Sequence, residues 1–414
     1  MKIGFLGMSH LGLNYAITSA ARGFKVICYD NDPLIIDGLN KQKIVFYEPG
    51  LQKLLITNKN KLIFTNKIVD LSTCDLVFVS KDVPTNNKNQ SNLDSIKKLI
   101  KKVLIVLKKK ACLIVLSQVN PGFTSKINWN KKKLYYQVET LVFGKALSRI
   151  FKSERVIIGC KNINQKIDNN YENFLKKFNC PIVKLNYESA EFAKISINIF
   201  LINQVCTTNL LASICEQIGA DWQSIVPALK LDKRIGKYAY LSPGLGLSGG
   251  NLERDLEAVK LLSKKNLIKD KLLNSLSYNS IISKNWVFKK IKKLKINKKK
   301  DVISILGISY KANTNSIKNS PAIDLIKKIH DYRIKIYDTK VKNINLKYEK
   351  CNSLNSAIKD TDVLIILNSS DEFKKITLND LKKEMNGRLI LDPLNVLHGL
   401  NLRSHGFNYF SIGN

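Results

Sequence analysis

The chain has 414 residues and 44% hydrophobic content, too long for one compact core and suited to two or three domains. It carries 68 Lys and Arg against 33 Asp and Glu, a net charge of +35. The excess is mostly Lys, spread beside abundant Asn and Ile rather than gathered as Arg clusters with interleaved aromatics. No nucleic-acid partner is therefore expected, and the charge reads as a solvated surface that helps attract a polyanionic substrate. No uninterrupted apolar run approaches the roughly 18–20 residues of a membrane span, so no membrane partner is expected either.

The start, Met1-Lys2-Ile3-Gly4-Phe5-Leu6-Gly7, runs directly into a glycine turn. It reads as a first buried strand rather than a secretory leader, which implies a cytoplasmic protein. The eight cysteines are scattered without a C-x-x-C pair and read as buried thiols in a reducing compartment. With only four dispersed histidines, no metal site is expected.

In chain order, residues 2–7 form an apolar run, then comes Gly7-Met8-Ser9-His10-Leu11-Gly12, then a helical pattern to Arg22. Residues 24–29 form a second apolar run that ends at Asp30. Strand, glycine turn, helix and strand make a βαβ unit. Further strand-like runs at 76–80, 111–117 and 155–159 predict a mostly parallel sheet covered by helices. From Ser189 to Ala220 the pattern becomes one long amphipathic helix. A Gly/Pro/Ser-rich loop at 241–250 and more helix to about Leu294 follow. A Lys-rich run at 289–300 reads as a helix end and linker. Alternation then returns, with strands expected at 301–306, 334–337, 363–367 and 388–391. The predicted plan is α/β: a dinucleotide domain over 1–186, a helical middle over 187–294, and a second α/β domain over 300–414 as a distant structural repeat of the first.

The turn reads Gly-x-Ser-x-x-Gly. Gly7 makes the tight exit from the strand and Gly12 allows helix and strand to pack closely. A small Ser9 still permits backbone approach to a pyrophosphate, and the backbone through Leu11 offers helix N-terminal N–H groups to it. Asp30, at the end of the second strand, suits the ribose hydroxyls and repels a 2′-phosphate, which favours NAD over NADP.

Several motifs then fall in order. They are Tyr47-Glu48-Pro49-Gly50-Leu51, Ser189-Ala190-Glu191-Phe192-Ala193-Lys194 with Asn198, Leu231-Asp232-Lys233-Arg234-Ile235-Gly236, and Gly307-Ile308-Ser309-Tyr310-Lys311-Ala312-Asn313-Thr314 with Ser320-Pro321-Ala322. Over nearly the whole length the chain resembles the UDP-glucose/GDP-mannose dehydrogenase family. The resemblance implies an N-terminal Rossmann-type NAD domain, a central helical dimerisation domain and a C-terminal Rossmann-like nucleotide-sugar domain. It implies C6 oxidation of a nucleotide sugar, UDP-glucose being favoured, by a homodimer. Lys194 and Asn198, four apart on one helix face, would stabilise oxyanion character and hold a water. As a bare pair, Glu191 and Lys194 read as a surface ion pair. Asp255 would hold the water that takes the alcohol proton, and Glu139 resembles the acid/base of the hydrolytic step. Tyr240, Gly244 and Gly246 would line the nucleotide sugar, Lys311 would contact it from the third domain, and Arg234 would reach it from the neighbouring subunit. Gln118 and Lys318 would lie near the cofactor, each a departure: the family has Thr and Arg there, and Lys cannot reproduce a bidentate fork.

The largest departure follows the glycine loop. Where the family has its catalytic cysteine the resemblance puts Asn251, in Ser248-Gly249-Gly250-Asn251-Leu252-Glu253-Arg254-Asp255. An amide cannot form the thioester of the second oxidation. Cys206, eight residues beyond Asn198 on the same helix, could share its face but is not expected to replace the cysteine. Three outcomes stay open: release of the 6-aldehyde, direct oxidation of its hydrate, or binding of nucleotide sugar without turnover. A small-acid dehydrogenase with a Rossmann domain and helical middle is a further reading, disfavoured by the second α/β domain.

Overall fold

The computed structural model describes residues 1–414 except 87, 88, 342, 343, 346 and 347. The chain divides into two compact units, Met1–Ile197 and Asn198–Asn414.

The first unit is built on β1 (Lys2–Leu6), β2 (Lys25–Tyr29), β3 (Leu62–Thr65), β4 (Leu76–Val79), β5 (Cys112–Val115), β6 (Leu134–Gln137), β7 (Val156–Cys160) and β8 (Ile182–Asn186). Their order in the sheet is β3-β2-β1-β4-β5-β6-β7-β8. β7 runs antiparallel to β6, and the other pairs among the described strands are parallel. Central strands of such a sheet are covered on both faces and so read as unbroken apolar runs. Every residue of β4 and β5 is buried. Alternate side chains feed two cores: Phe5, Phe78 and Ile114 pack on one face with Tyr171 and Phe174, and Val77, Val79 and Leu113 pack on the other with Ile96 and Val103.

The second unit holds β9 (Val302–Leu306), β10 (Arg333–Tyr337), β11 (Glu349–Lys350), β12 (Thr361–Ile366), β13 (Met385–Leu391) and β14 (Asn408–Phe410), in the order β11-β10-β9-β12-β13-β14. Helices Asn251–Lys265, Lys271–Lys284 and Trp286–Lys293 belong to it, and the Lys-rich run starts in the end of the last and continues beyond it as a connection to β9.

The two sheets repeat one another down to individual bonds. Gly7 N donates to Tyr29 O at 2.8 Å, and Gly307 N donates to Tyr337 O at 2.8 Å. Asp30 Oδ2 accepts from Met8 N at 2.7 Å, and Asp338 Oδ2 accepts from Ile308 N at 2.8 Å. Their Oδ1 atoms take Asp32 N and Lys340 N. The repeat diverges after the turn: a helix starts at His10 in the first unit, and only at Pro321, capped by Ser320, in the second.

The helix Tyr187–Ile218 has 32 residues and passes through the boundary between the units. It is long and apolar enough to cross a membrane by length and composition, although polar residues such as Asn198 and Asn203 interrupt its apolar run. It also carries buried Glu191, Lys194, Asn198, Thr208 and Asn209, a polar load suited to a protein core.

Gly12 shows how tightly the first turn is built. A Cβ there would lie 1.8 Å from Gly7 O and 2.7 Å from Ser80 Oγ, whereas a Cβ on Gly399 meets nothing within 4 Å. Gly12→Ala is expected to destabilise the first unit by roughly 1–3 kcal/mol through overpacking. Gly399→Ala should stay within about 0.5 kcal/mol of wild type. Urea unfolding of the two variants tests the contrast, and equal midpoints would refute it.

Candidate active site

The first unit assembles a dinucleotide cradle. Gly7 has φ +97°, and a Cβ on it would fall 2.6 Å from the Lys81 side chain, so the turn requires glycine. Ser9 stands at the N-cap of the helix His10–Ala21 but makes no side-chain cap. Its hydroxyl instead donates to Ser80 O at 3.1 Å and accepts from Asp82 N at 3.1 Å. Ser9 therefore ties the turn to the end of β4, and the first-turn N–H groups are left for an anion. Leu11 turns its side chain into the core, so its contribution to a ligand comes from the backbone. Asp30 is 5% exposed, and each of its oxygens takes one backbone N–H, leaving acceptor capacity for ribose hydroxyls. These features fit NAD.

Two loops stand beside this turn in the sequence plan, and both are tied down by buried glutamates that the motif reading left without a role. Gln118 follows β5, where Ser117 Oγ donates to Lys81 O at 2.6 Å. Further along that loop, Gly122 N and Thr124 N donate to Glu191 at 2.6 and 2.8 Å. Glu191 is 0% exposed and its carboxylate is spent on backbone amides, so the bare-pair alternative of a surface ion pair with Lys194 does not apply. Burial pushes the Glu191 carboxyl above its ordinary value, with the donated hydrogen bonds opposing. Glu139 lies in the next loop, accepts from Leu141 N, and is followed by Gly144 and Ala146, whose N–H groups reach Glu48. No sequence pattern marks a backbone donor, which is why neither anchor was legible.

The second unit assembles a polar cluster around Asp255, which is fully buried. Asn198 Nδ2 donates to Asp255 Oδ2 at 2.5 Å and Arg254 Nε to Oδ1 at 3.3 Å. Asn198 comes from the helix that also carries Lys194, each 7% exposed. Asn251 is the exposed first residue of the helix Asn251–Lys265. Glu253 pairs with Lys284 at 2.7 Å and accepts from Asn319. The Lys318 side chain packs on Gly250, and partial burial and then the Arg254 cation push its ammonium below the ordinary lysine value. Lys311 lies over the Tyr310 ring at 5.5 Å, the ring against which Gly249 is packed.

The glycine loop is closed on the protein itself. Gly246 has φ +69°, and a Cβ would fall 2.4 Å from Ser280 O. Gly244 N donates to Asn209 Oδ1 at 2.8 Å, and Tyr240 O accepts from Thr208 at 2.8 Å. Arg234 stays apart from the Asp255 cluster: its side chain is 89% exposed and held by Asp232 at 2.6 Å. Cys206 is buried, donates to Leu276 O, and burial pushes its thiol up to about 11. It is no stand-in for a reactive thiolate.

With this geometry in place, the comparisons with known proteins are consistent along the chain. Residues 1–179 match the NAD binding domain of the UDP-glucose/GDP-mannose dehydrogenase family, 188–279 its central domain and 304–399 its UDP binding domain. A UDP-glucose 6-dehydrogenase of Rickettsia bellii is 29% identical over 443 residues, covering 100% of this chain and 99% of the relative. UDP-glucose 6-dehydrogenase TuaD of Bacillus subtilis is 28% identical, covering 100% and 93%. The solved structure of a UDP-D-ManNAc dehydrogenase from Pyrococcus horikoshii has the same fold, with TM-score 0.86 at 23% identity over 100% of this chain and 99% of that one. The chain belongs to the UDP-glucose/GDP-mannose dehydrogenase family and is an NAD-dependent nucleotide-sugar dehydrogenase.

Glu191 gives a signed test. Its folded pKa lies above the ordinary 4.5. The native state therefore holds this proton more tightly than the unfolded chain. The contribution is full below the ordinary value and is lost as pH rises through the folded one. The stability of wild type relative to Glu191→Gln is expected to fall as pH rises from below the ordinary 4.5 to above it. Denaturant melts across that range measure it, and a difference that stays flat would overturn the assignment.

Proposed function

We propose that the substrate is UDP-glucose and that the chain removes one hydride from C6, releasing the 6-aldehyde. The observation that carries this reading is the Asp255 cluster, in which Asn198 and Arg254 bind a fully buried carboxylate. A carboxylate so held can fix the water that accepts the alcohol proton. Lys194, four residues before Asn198, would stabilise the developing alkoxide, and NAD supplies the hydride acceptor. The step balances as alcohol and NAD+ giving aldehyde, NADH and a proton. Glu139 would receive the alcohol proton in turn from that water, and Gln118 and Lys318 would face the cofactor. Tyr240, Gly244, Gly246 and Lys311 would receive the nucleotide sugar. The similarity to UDP-glucose 6-dehydrogenases along the whole chain supports the choice of sugar.

The limit to one oxidation follows from Asn251. It starts a helix, where a thiolate would be stabilised by the helix dipole, but an amide offers no nucleophile. Direct oxidation of the aldehyde hydrate is the second reading, favoured by retention of the Asp255 cluster. The expected stoichiometry is one NADH per sugar. Asn251→Cys should raise it towards two and yield the uronic acid. NADH counts with mass analysis of the product decide it. Two NADH from wild type would support hydrate oxidation, and no turnover across a panel of nucleotide sugars would sink the choice of substrate.

Function would divide the chain as 1–186 for NAD, 187–294 for dimerisation and 300–414 for the UDP-sugar, in the cytoplasm. A homodimer is supported by Phe192, Phe200, Leu210, Leu211, Ile214 and Ile218, all exposed on the long helix. With ~3.6 residues per turn they fall within one arc of roughly 100°, an apolar stripe suited to a second copy. Arg234, exposed and pre-oriented by Asp232, would then serve the partner's substrate. Phe200→Glu is expected to convert a dimer to a monomer in sedimentation, and an unchanged mass would remove this face from the interface.

A further inference from the structure

The segment Tyr47-Glu48-Pro49-Gly50-Leu51 has no part in the chemistry described so far, yet its glutamate is one of the most heavily engaged groups in the first unit. Glu48 is 5% exposed. Its Oε2 accepts from His10 Nε2 at 2.8 Å and from Gly144 N at 2.9 Å, and its Oε1 accepts from Ala146 N at 2.8 Å. Charge-assisted bonds of this kind are roughly twice as strong as neutral ones. The carboxylate is braced from behind. Gly50 has φ +81° and starts the helix Leu51–Thr57, whose Leu51 is 1% exposed in the core.

The three donors belong to two functional segments. His10 sits inside the dinucleotide turn, at the start of the helix His10–Ala21. Its ring stacks on Phe143 at 3.9 Å and meets Phe46 edge-on at 5.0 Å. Gly144 and Ala146 close the loop that carries Glu139, and Gly144 takes φ +77° to do so. The loop is thus held twice by the turn side: through the carboxylate, and through the stack of Phe143 on His10.

We propose that Glu48 is a positioning residue that fixes the Glu139 loop to the dinucleotide turn, through His10 on one side and the Gly144 and Ala146 N–H groups on the other. The inference rests on the reading of Glu139 as a proton-handling group. A carboxylate accepts from all three donors at once. An amide in its place points an NH2 group at one of them, so the loop loses an anchor and gains a clash. A displacement of about 1 Å at a reacting group can cost roughly 100-fold in rate.

The test uses the full chain and the variants Glu48→Gln, Glu139→Gln and the double substitution. It measures kcat and KM with UDP-glucose and NAD, the melting temperature, and amide hydrogen exchange over residues 138–146. Glu48→Gln is expected to lower kcat about 10- to 100-fold with KM for UDP-glucose held within about 2-fold, and to speed exchange over 138–146. The double variant should be no slower than Glu139→Gln alone, because Glu48 acts through Glu139. Losses that multiply, or unchanged exchange over 138–146, would overturn the proposal. So would a lower melting temperature with wild-type kcat in the cold. If Glu139→Gln keeps full kcat, the role given to Glu139 fails, and the exchange result alone decides whether Glu48 anchors the loop. Should Glu48→Gln fail to fold, His10→Ala removes one donor and the ring stack and is expected to speed the same exchange.

Discussion

The buried carboxylate that accepts backbone N–H groups is the interaction on which the functional parts of this protein depend. Asp30, Glu48, Glu191 and Asp392 all hold loops in this way, and the half-buried Asp338 does the same. The chain has 68 basic side chains, so a lysine partner for each acid would have been easy to supply. A lysine would have brought a long, mobile stem and a second charge to desolvate. A backbone N–H brings neither, and two of them fix a loop in position and orientation. The cost of burying the acid remains visible: burial pushes the carboxyls of Glu191 and Asp392 up even with their donors in place.

This arrangement explains what the sequence could and could not disclose. β4 and β5 are buried on both faces and stood out as apolar runs, as did β9 and the start of the Gly7 turn. β3, β8, β11 and β14 are short strands at or near the sheet margins with exposed positions, and β6 is an aromatic run of four residues after three lysines. Their register comes from neighbours rather than from their own pattern. Within the site, Lys194, Asn198 and Asp255 were legible through motif spacing, and Asn198 and Asp255 do meet. The role of Glu191 was not legible, because its donors come from a distant loop. Gly246 was read as lining the nucleotide sugar, in a loop that also holds Gly249. The space beside them is filled by Ser280 and Tyr310, so their small size first serves the packing of the loop.

The duplicated turn sharpens the meaning of Asp30. An aspartate at the end of the second strand is usually taken as a reader of ribose. The second unit has the same aspartate at the same place, with the same bonds to the N–H groups of the glycine turn, and there no helix N-terminus follows the turn. Asp338 also binds the Ser309 hydroxyl and the Asn368 amide, which consumes acceptor capacity that Asp30 keeps. The shared part of the two networks is therefore a device for closing a strand–turn–strand corner. What distinguishes a dinucleotide cradle is the part not shared: a helix that begins at once, and a serine at its cap whose hydroxyl is spent on β4 rather than on the helix. The preference for NAD thus rests on the spare acceptor positions of Asp30 together with the uncapped amides of His10 to Gly12, and neither feature alone would establish it.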